Sequence, residues 1–349
     1  MRIAIAVISV FLMSANLRNA LTREFQSAQG TTAETPPSDP DIAKARELVE
    51  KSELDAAESI VRQYIARHPR SPEGHFLLGL IYFRQVQSRA RANGTYAAPG
   101  DVPSTAIDAG ARDAKIRASL AAFTEGGKFA RPSAFDLKIV SLDYVLLGDY
   151  SSADKWLTLS LQWDPSDAEA WYYLGRTKYN ENRFEEAIHA FEKCLGLRPQ
   201  FVLAGDGLGL SQAGLGHNAE AILSLQKAIS MQDNLASKTP EPYIDLGDLL
   251  SQQARFEEAL PPLQLAVTIA PLNVRAHEVL GKAYLNLNRL PEAQHELETA
   301  VSIDSALPVL HYLLGQVYRK EGHLEKAKSE LDRFQALKAK GAPQKSGME

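Results

Sequence analysis

Cysteine is almost absent from this chain, and the single Cys194 can form neither an internal disulfide nor a cysteine-based zinc cage. It also lies far from the N-terminus, so no cysteine stands there to carry a lipid anchor. An excess of positive charge is missing as well: 38 Lys and Arg against 43 Asp and Glu leave a formal net charge of −5, with the two signs interspersed. No basic field is available to neutralise a phosphate backbone, which sets nucleic acid aside as a partner. No H-x3-H pair, nucleophile elbow or phosphate-binding glycine loop occurs. Gly205-Asp206-Gly207-Leu208-Gly209 has the glycines of a nucleotide loop, but no strand precedes it and it falls within a helical pattern.

The chain does have enough apolar residues, 45 % against 23 % charged, to bury a core beneath a solvated surface. Its apolar run Ile3–Ala15 follows Arg2, the pattern of a secretory signal peptide, and is shorter than the roughly 20 apolar residues a membrane span needs. Residues 1–28 are therefore read as a signal peptide, cut after Ala15 or Ala28, and the chain as exported, periplasmic or secreted. A membrane anchor formed by an uncleaved N-terminal segment is the alternative. Residues 29–40 are rich in Pro, Thr and Ser and read as a disordered linker; 342–349 reads as a polar tail.

From residue 41 to 341 the chain repeats itself. Leu174-Gly175 recurs as Leu208-Gly209, Leu246-Gly247, Leu280-Gly281 and Leu314-Gly315, at spacings of 34, 38, 34 and 34 residues. Within Ala168–Phe201, the residues Trp171, Leu174, Gly175, Tyr179, Phe184, Ala187, Phe191, Cys194 and Pro199 fall at helical intervals across two segments joined by Asn182-Arg183. Small residues at Gly175 and Ala187 let the two helices approach, and Pro199 ends the second. This pattern, W-x2-L-G followed by A-x3-F and a closing P, resembles the tetratricopeptide repeat. Weaker copies upstream, with Gly148, Ala153, Leu157 and Pro165, then Leu78-Gly79 with Tyr82, then Ala45, Leu48, Ala57, Val61 and Pro69, bring the count to about eight units.

The resemblance implies an all-α fold, a right-handed α-solenoid of helix-turn-helix repeats over 41–341. An inserted loop is expected at about 86–114, where Asn93-Gly94, Ala98-Pro99-Gly100 and Val102-Pro103 signal turns. A smaller extension is expected near Ala236–Thr239. No span remains for a catalytic domain, so the expectation is a non-catalytic scaffold with no cofactor and no metal.

In tetratricopeptide proteins the first helices of successive units line a concave face that takes an extended peptide or a partner helix. By register, that face here comprises Phe135, Lys138, Ile139 and Leu142, then Tyr172, Tyr173, Arg176, Tyr179 and Asn180, then Asp206, Asp245, Asp248, Glu278, Lys282, Tyr312, Gln316 and Arg319. Tyr172, Tyr173 and Arg176 are expected to anchor a protein or peptide ligand, and Asp206, Asp245 and Asp248 to attract a basic stretch of it. A self-assembling structural repeat protein of the cell envelope is the alternative. His75, His277 and His311 stand where Trp171 stands in the most regular unit and are read as packing substitutes; repeats separate them by about 10 Å, too far for shared metal ligation.

Overall fold

The computed structural model describes residues 39–92, 109–235 and 237–341. Residues 1–28, read above as a signal peptide, most of the expected linker and the tail 342–349 lie outside them. Among the described residues there are sixteen helices and no strand, and they divide into two compact units between Trp163 and Asp164.

The first unit contains α1 (Pro40–Glu50), α2 (Leu54–Arg67), α3 (Pro72–Ala92), α4 (Ala109–Gly126), α5 (Ala134–Leu146) and α6 (Tyr150–Trp163). Asp39 caps α1 by accepting from the Asp41 amide, with Pro40 at the first helical position, so the expected linker gives way to helix at its last residue. Ser133 and Asp136 form a reciprocal capping box on α5. Ile42, Ala45, Ala57, Val61 and Ile81 make a fully buried core for α1 to α3.

Helix occupies both ends of the span expected as a loop at 86–114: α3 continues to Ala92 and α4 begins at Ala109. Val86 is buried, and Gln85 donates 2.9 Å hydrogen bonds to both Asp55 and Glu58 of α2, which anchor this part of α3 to the preceding helix. Residues 93–108 lie outside the described ones.

The second unit contains α7 (Ala168–Asn180), α8 (Phe184–Leu197), α9 (Val202–Gly214), α10 (Asn218–Ser230), α11 (Glu241–Gln252), α12 (Phe256–Ile269), α13 (Val274–Asn286), α14 (Leu290–Ile303), α15 (Pro308–Lys320) and α16 (Leu324–Gly341). Consecutive helices pair as hairpins, three in the first unit and five in the second. Seven hairpin turns place one residue in the left-handed region, two positions before the second helix: Ser52, Gly148, Asn182, Gly216, Ala254, Asn288 and Gly322. The recurring Leu-Gly pair is explained by the approach of the paired helices. A Cβ on Gly175 would lie 2.7 Å from the Phe191 ring, and one on Gly247 2.4 Å from Leu263. In α5 the place of that glycine is taken by Ser141, fully buried, whose hydroxyl donates to the Lys138 carbonyl.

The extension before α11 is pinned rather than loose, since the buried Gln232 side chain receives the Thr239 amide at 2.6 Å.

Candidate interaction surface

In the second unit the first helices α7, α9, α11, α13 and α15 each touch the next first helix, whereas successive second helices meet far less. The first helices therefore line the inner side of this unit's curve. The residues expected there divide sharply by burial.

On α7, Tyr172 is core. It is 4 % exposed, with its ring 5.0 Å from Phe201 and 6.1 Å from Phe191, so it cannot be the outward anchor that its register suggested. The reason is Phe201, supplied by the turn leading into α9, which closes over the ring from the following hairpin. Tyr173 is half-buried beside it, centroids 5.2 Å apart, and burial pushes its phenol up. The Arg176 guanidinium lies 6.0 Å from the Tyr172 ring centroid. Tyr179 is half-buried against Phe184, its phenol raised by burial and secondarily by the Asp245 carboxylate; Asn180 is exposed. In the first unit Phe135 is exposed, while Lys138 is buried with its ammonium 5.6 Å from the Phe135 ring, and Ile139 and Leu142 are core.

The acidic patch is also corrected. Asp206 and Asp245 come from neighbouring helices and are hydrogen-bonded to each other, both almost wholly buried. Burial, and then the Asp245 charge, hold the Asp206 carboxyl well above the usual carboxylate range, which favours its protonated form. Burial raises Asp245 too, against the opposing pull of Arg275, whose guanidinium is 2.6 Å from Asp245 and 3.5 Å from Asp248. Two of the three aspartates are thus buried, and Asp245 and Asp248 share Arg275, so they do not form an open anionic field. Arg275 is the residue that sequence reasoning missed. Its only signal is position: it stands at the start of α13, facing an acidic stretch of α11 27 to 30 residues earlier.

Further along, Lys282 on α13 and Arg319 on α15 are exposed and form no ion pair with a described residue. This contrasts with Arg183, Arg255 and Arg289, each tied to a glutamate three residues on at the start of a second helix. Tyr312 is 43 % exposed and leans on Phe334 at 5.4 Å. Gln316 and Glu278 are half-buried, and burial raises the Glu278 carboxyl.

The triad of glycines in α9 serves packing. Gly207 faces the Phe191 ring and Gly209 faces Leu225, each too close for a side chain. Cys194 is fully buried, and burial pushes its thiol up to about 12, which makes it unreactive. His189 and His295 are exposed on second helices.

These features define a helical-repeat protein: stacked hairpins with a lined inner surface. Sequence profiles of the tetratricopeptide repeat match residues 168–201 and residues 42–94, 244–308 and 278–342. The chain belongs to the tetratricopeptide repeat family. It is similar to the peroxisomal targeting signal receptors of Kluyveromyces lactis (42 % identical over 74 residues, 21 % of this chain) and Komagataella phaffii (27 % over 132 residues, 37 % of this chain). The matched segments span only 13 % and 23 % of those relatives' own lengths. Among solved structures, a tetratricopeptide repeat protein from Parabacteroides merdae superposes with a TM-score of 0.59 at 19 % identity, covering 79 % of this chain and 97 % of that one. The Cut9–Hcn1 hetero-tetramer of the APC/C gives 0.57 at 17 % identity, covering 93 % and 57 %. At these identities the likeness is one of fold.

Proposed function

We propose that this protein is a non-catalytic scaffold that holds an extended segment of another protein against the inner helices of its second unit. The observation that carries this reading is the set of side chains left wholly or partly exposed on first helices of this unit: Tyr173, Arg176 and Asn180 on α7, Lys282 on α13, Tyr312 and Arg319 on α15. Aromatic area beside guanidinium groups is the composition of binding hot spots, and placement on packed helices keeps the ordering cost low. The similarity to receptors named for a targeting signal supports a peptide-like ligand. The unpaired Lys282 and Arg319 favour a segment with acidic character at the α13–α15 end, reversing the charge that the aspartates alone would suggest.

Affinity capture with the chain from its own cells, followed by titration of the captured partner, tests this. Replacing both Lys282 and Arg319 with Ala should weaken binding by about tenfold or more and leave the thermal melt unchanged. Unchanged affinity would place the ligand elsewhere.

The apolar run Ile3–Ala15 behind Arg2 supports export as the setting for this scaffold. N-terminal sequencing of the native protein is the measurement, and recovery of intact Met1 would refute processing.

A further inference from the structure

Four first helices carry an aromatic ring whose nitrogen reaches back to a backbone carbonyl six residues earlier. His75 meets the Pro69 carbonyl, Trp171 that of Pro165, His277 that of Pro271 and His311 that of Ser305, all at 2.9 Å. The ring thus bridges from the first helix to the turn that precedes it. In the hairpin of α9 and α10 the corresponding residue is Gly205, and the carbonyl six residues before it belongs to Pro199. That carbonyl accepts no hydrogen bond from a described residue.

A cavity of ≈ 270 Å³ opens at this place, lined by Leu195, Pro199, Gln200, Lys227, Ser230 and Met231. A Cβ on Gly205 would lie 3.1 Å from Ala228 Cβ and 3.5 Å from Met231 Cε, so the Met231 methyl stands beside Gly205 and also lines the cavity.

We propose that this cavity is a binding site for the indole ring of a tryptophan side chain on a partner, which enters from solvent and donates its N–H to the Pro199 carbonyl. The choice of indole over imidazole follows from the other hairpins. His277 and His311 each direct their second ring nitrogen to a glutamate on the paired helix, Glu296 and Glu330, both at 2.6 Å. Trp171, with a single nitrogen, is paired with Ala190 at that position. In α10 the position is held by Ser224, which offers no carboxylate, so the site matches the tryptophan hairpin and not the histidine ones. Leu195, Pro199 and the Met231 methyl supply apolar walls, and Lys227 can lie over the ring face. This site stands on the inter-repeat turn and does not depend on the inner-helix reading.

The test is a titration of the wild-type chain, carrying 13C-methyl methionine, with N-acetyl-tryptophanamide, indole and 1-methylindole. Both N–H probes should shift the Met231 methyl resonance with saturation. The N-methylated ring, which fills space without donating, should bind several-fold more weakly, on the order of the tenfold that one hydrogen bond supplies. Gly205→Trp should abolish the shift by filling the site from within; the wild-type titration stands without that variant if it does not fold. No shift of Met231 with any probe, equal affinity for 1-methylindole, or response to free indole but not to the blocked amino acid would each overturn the assignment.

Discussion

The Nδ1 of His277 lies 2.6 Å from a carboxylate oxygen of Glu296, while its Nε2 meets the Pro271 carbonyl. A carbonyl and an ionised carboxylate can only accept, so the ring satisfies both by carrying two N–H groups, as the imidazolium. The hydrogen bond that His277 donates to Glu296 is the main cause that raises the His277 pKa, against the opposing effect of burial, and Glu296 is the charged group acting on it. A raised folded pKa means that the stabilisation is complete below the unfolded value of about 6.5 and is lost as pH rises through the folded value. Thermal stability should therefore decline on going from about pH 6 to pH 9, and the double change His277→Trp with Glu296→Ala, copying Trp171 and Ala190, should remove this part of the decline. Equal pH slopes for the two proteins would contradict the assignment.

Gly175 has no room for a side chain, because Phe191 lies 2.7 Å from where its Cβ would be. Gly175→Leu should destabilise by about 1–3 kcal/mol, with the loss carried into adjoining hairpins that depend on their neighbours. A melt identical to wild type would refute the packing.

Ala254 sits at φ 58°, where the four equivalent turns of the second unit all use Gly or Asn. An alanine in the left-handed region costs roughly 1–2 kcal/mol relative to one that is not strained, so Ala254→Gly should raise the unfolding free energy by about 1 kcal/mol. Denaturant melts decide it; a loss of stability would show that the methyl group contributes more than the strain removes.

Asp143 is fully buried, accepts no cation and is linked to Ser119, which in turn reaches the Gly79 carbonyl at 2.9 Å. Burial holds its carboxyl well above the usual range, only partly offset by Ser119. Because the folded pKa is raised, its contribution is full below the unfolded value of about 3.9 and falls as pH rises through the folded one. Asp143→Asn keeps the shape without the titration. It should be more stable than wild type near pH 8, with the gap closing toward pH 4. A constant gap across that range would exclude a neutral buried acid.

Tyr172 and Tyr173 are adjacent in sequence but different in role. Tyr172→Ala should lower stability by about 3–5 kcal/mol through loss of the contacts with Phe201 and Phe191, as for other buried aromatics. Tyr173→Ala should alter partner affinity with a smaller change in the melt. Reversed results would return Tyr172 to the surface.

Much of the fold was legible in the chain. The 34-residue return of Leu-Gly, the A-x3-F pairing and the turn at Asn182 each report a local demand, namely close helix approach, a filled groove or a left-handed residue. The histidines at the Trp171 position were legible as packing groups, though the carbonyl they all contact was not. The ends of the span 86–114 are helical, because contacts such as Gln85 with Asp55 and Glu58, which no turn signal reports, hold α3 against α2.

Local pattern by itself determined the helical-repeat fold and the pairing of helices around the recurring Leu-Gly, because those depend on residues three or four apart on one helix. Only the tertiary structure decided which inward side chains stay available. Phe201 covers Tyr172 from the next hairpin, Arg275 pairs with aspartates about 30 residues away, and Gly205 leaves a space that is visible only against the rings of its sister repeats. Each of these outcomes depends on groups far apart in the chain, whose distance, burial and charge are set only when the hairpins stack.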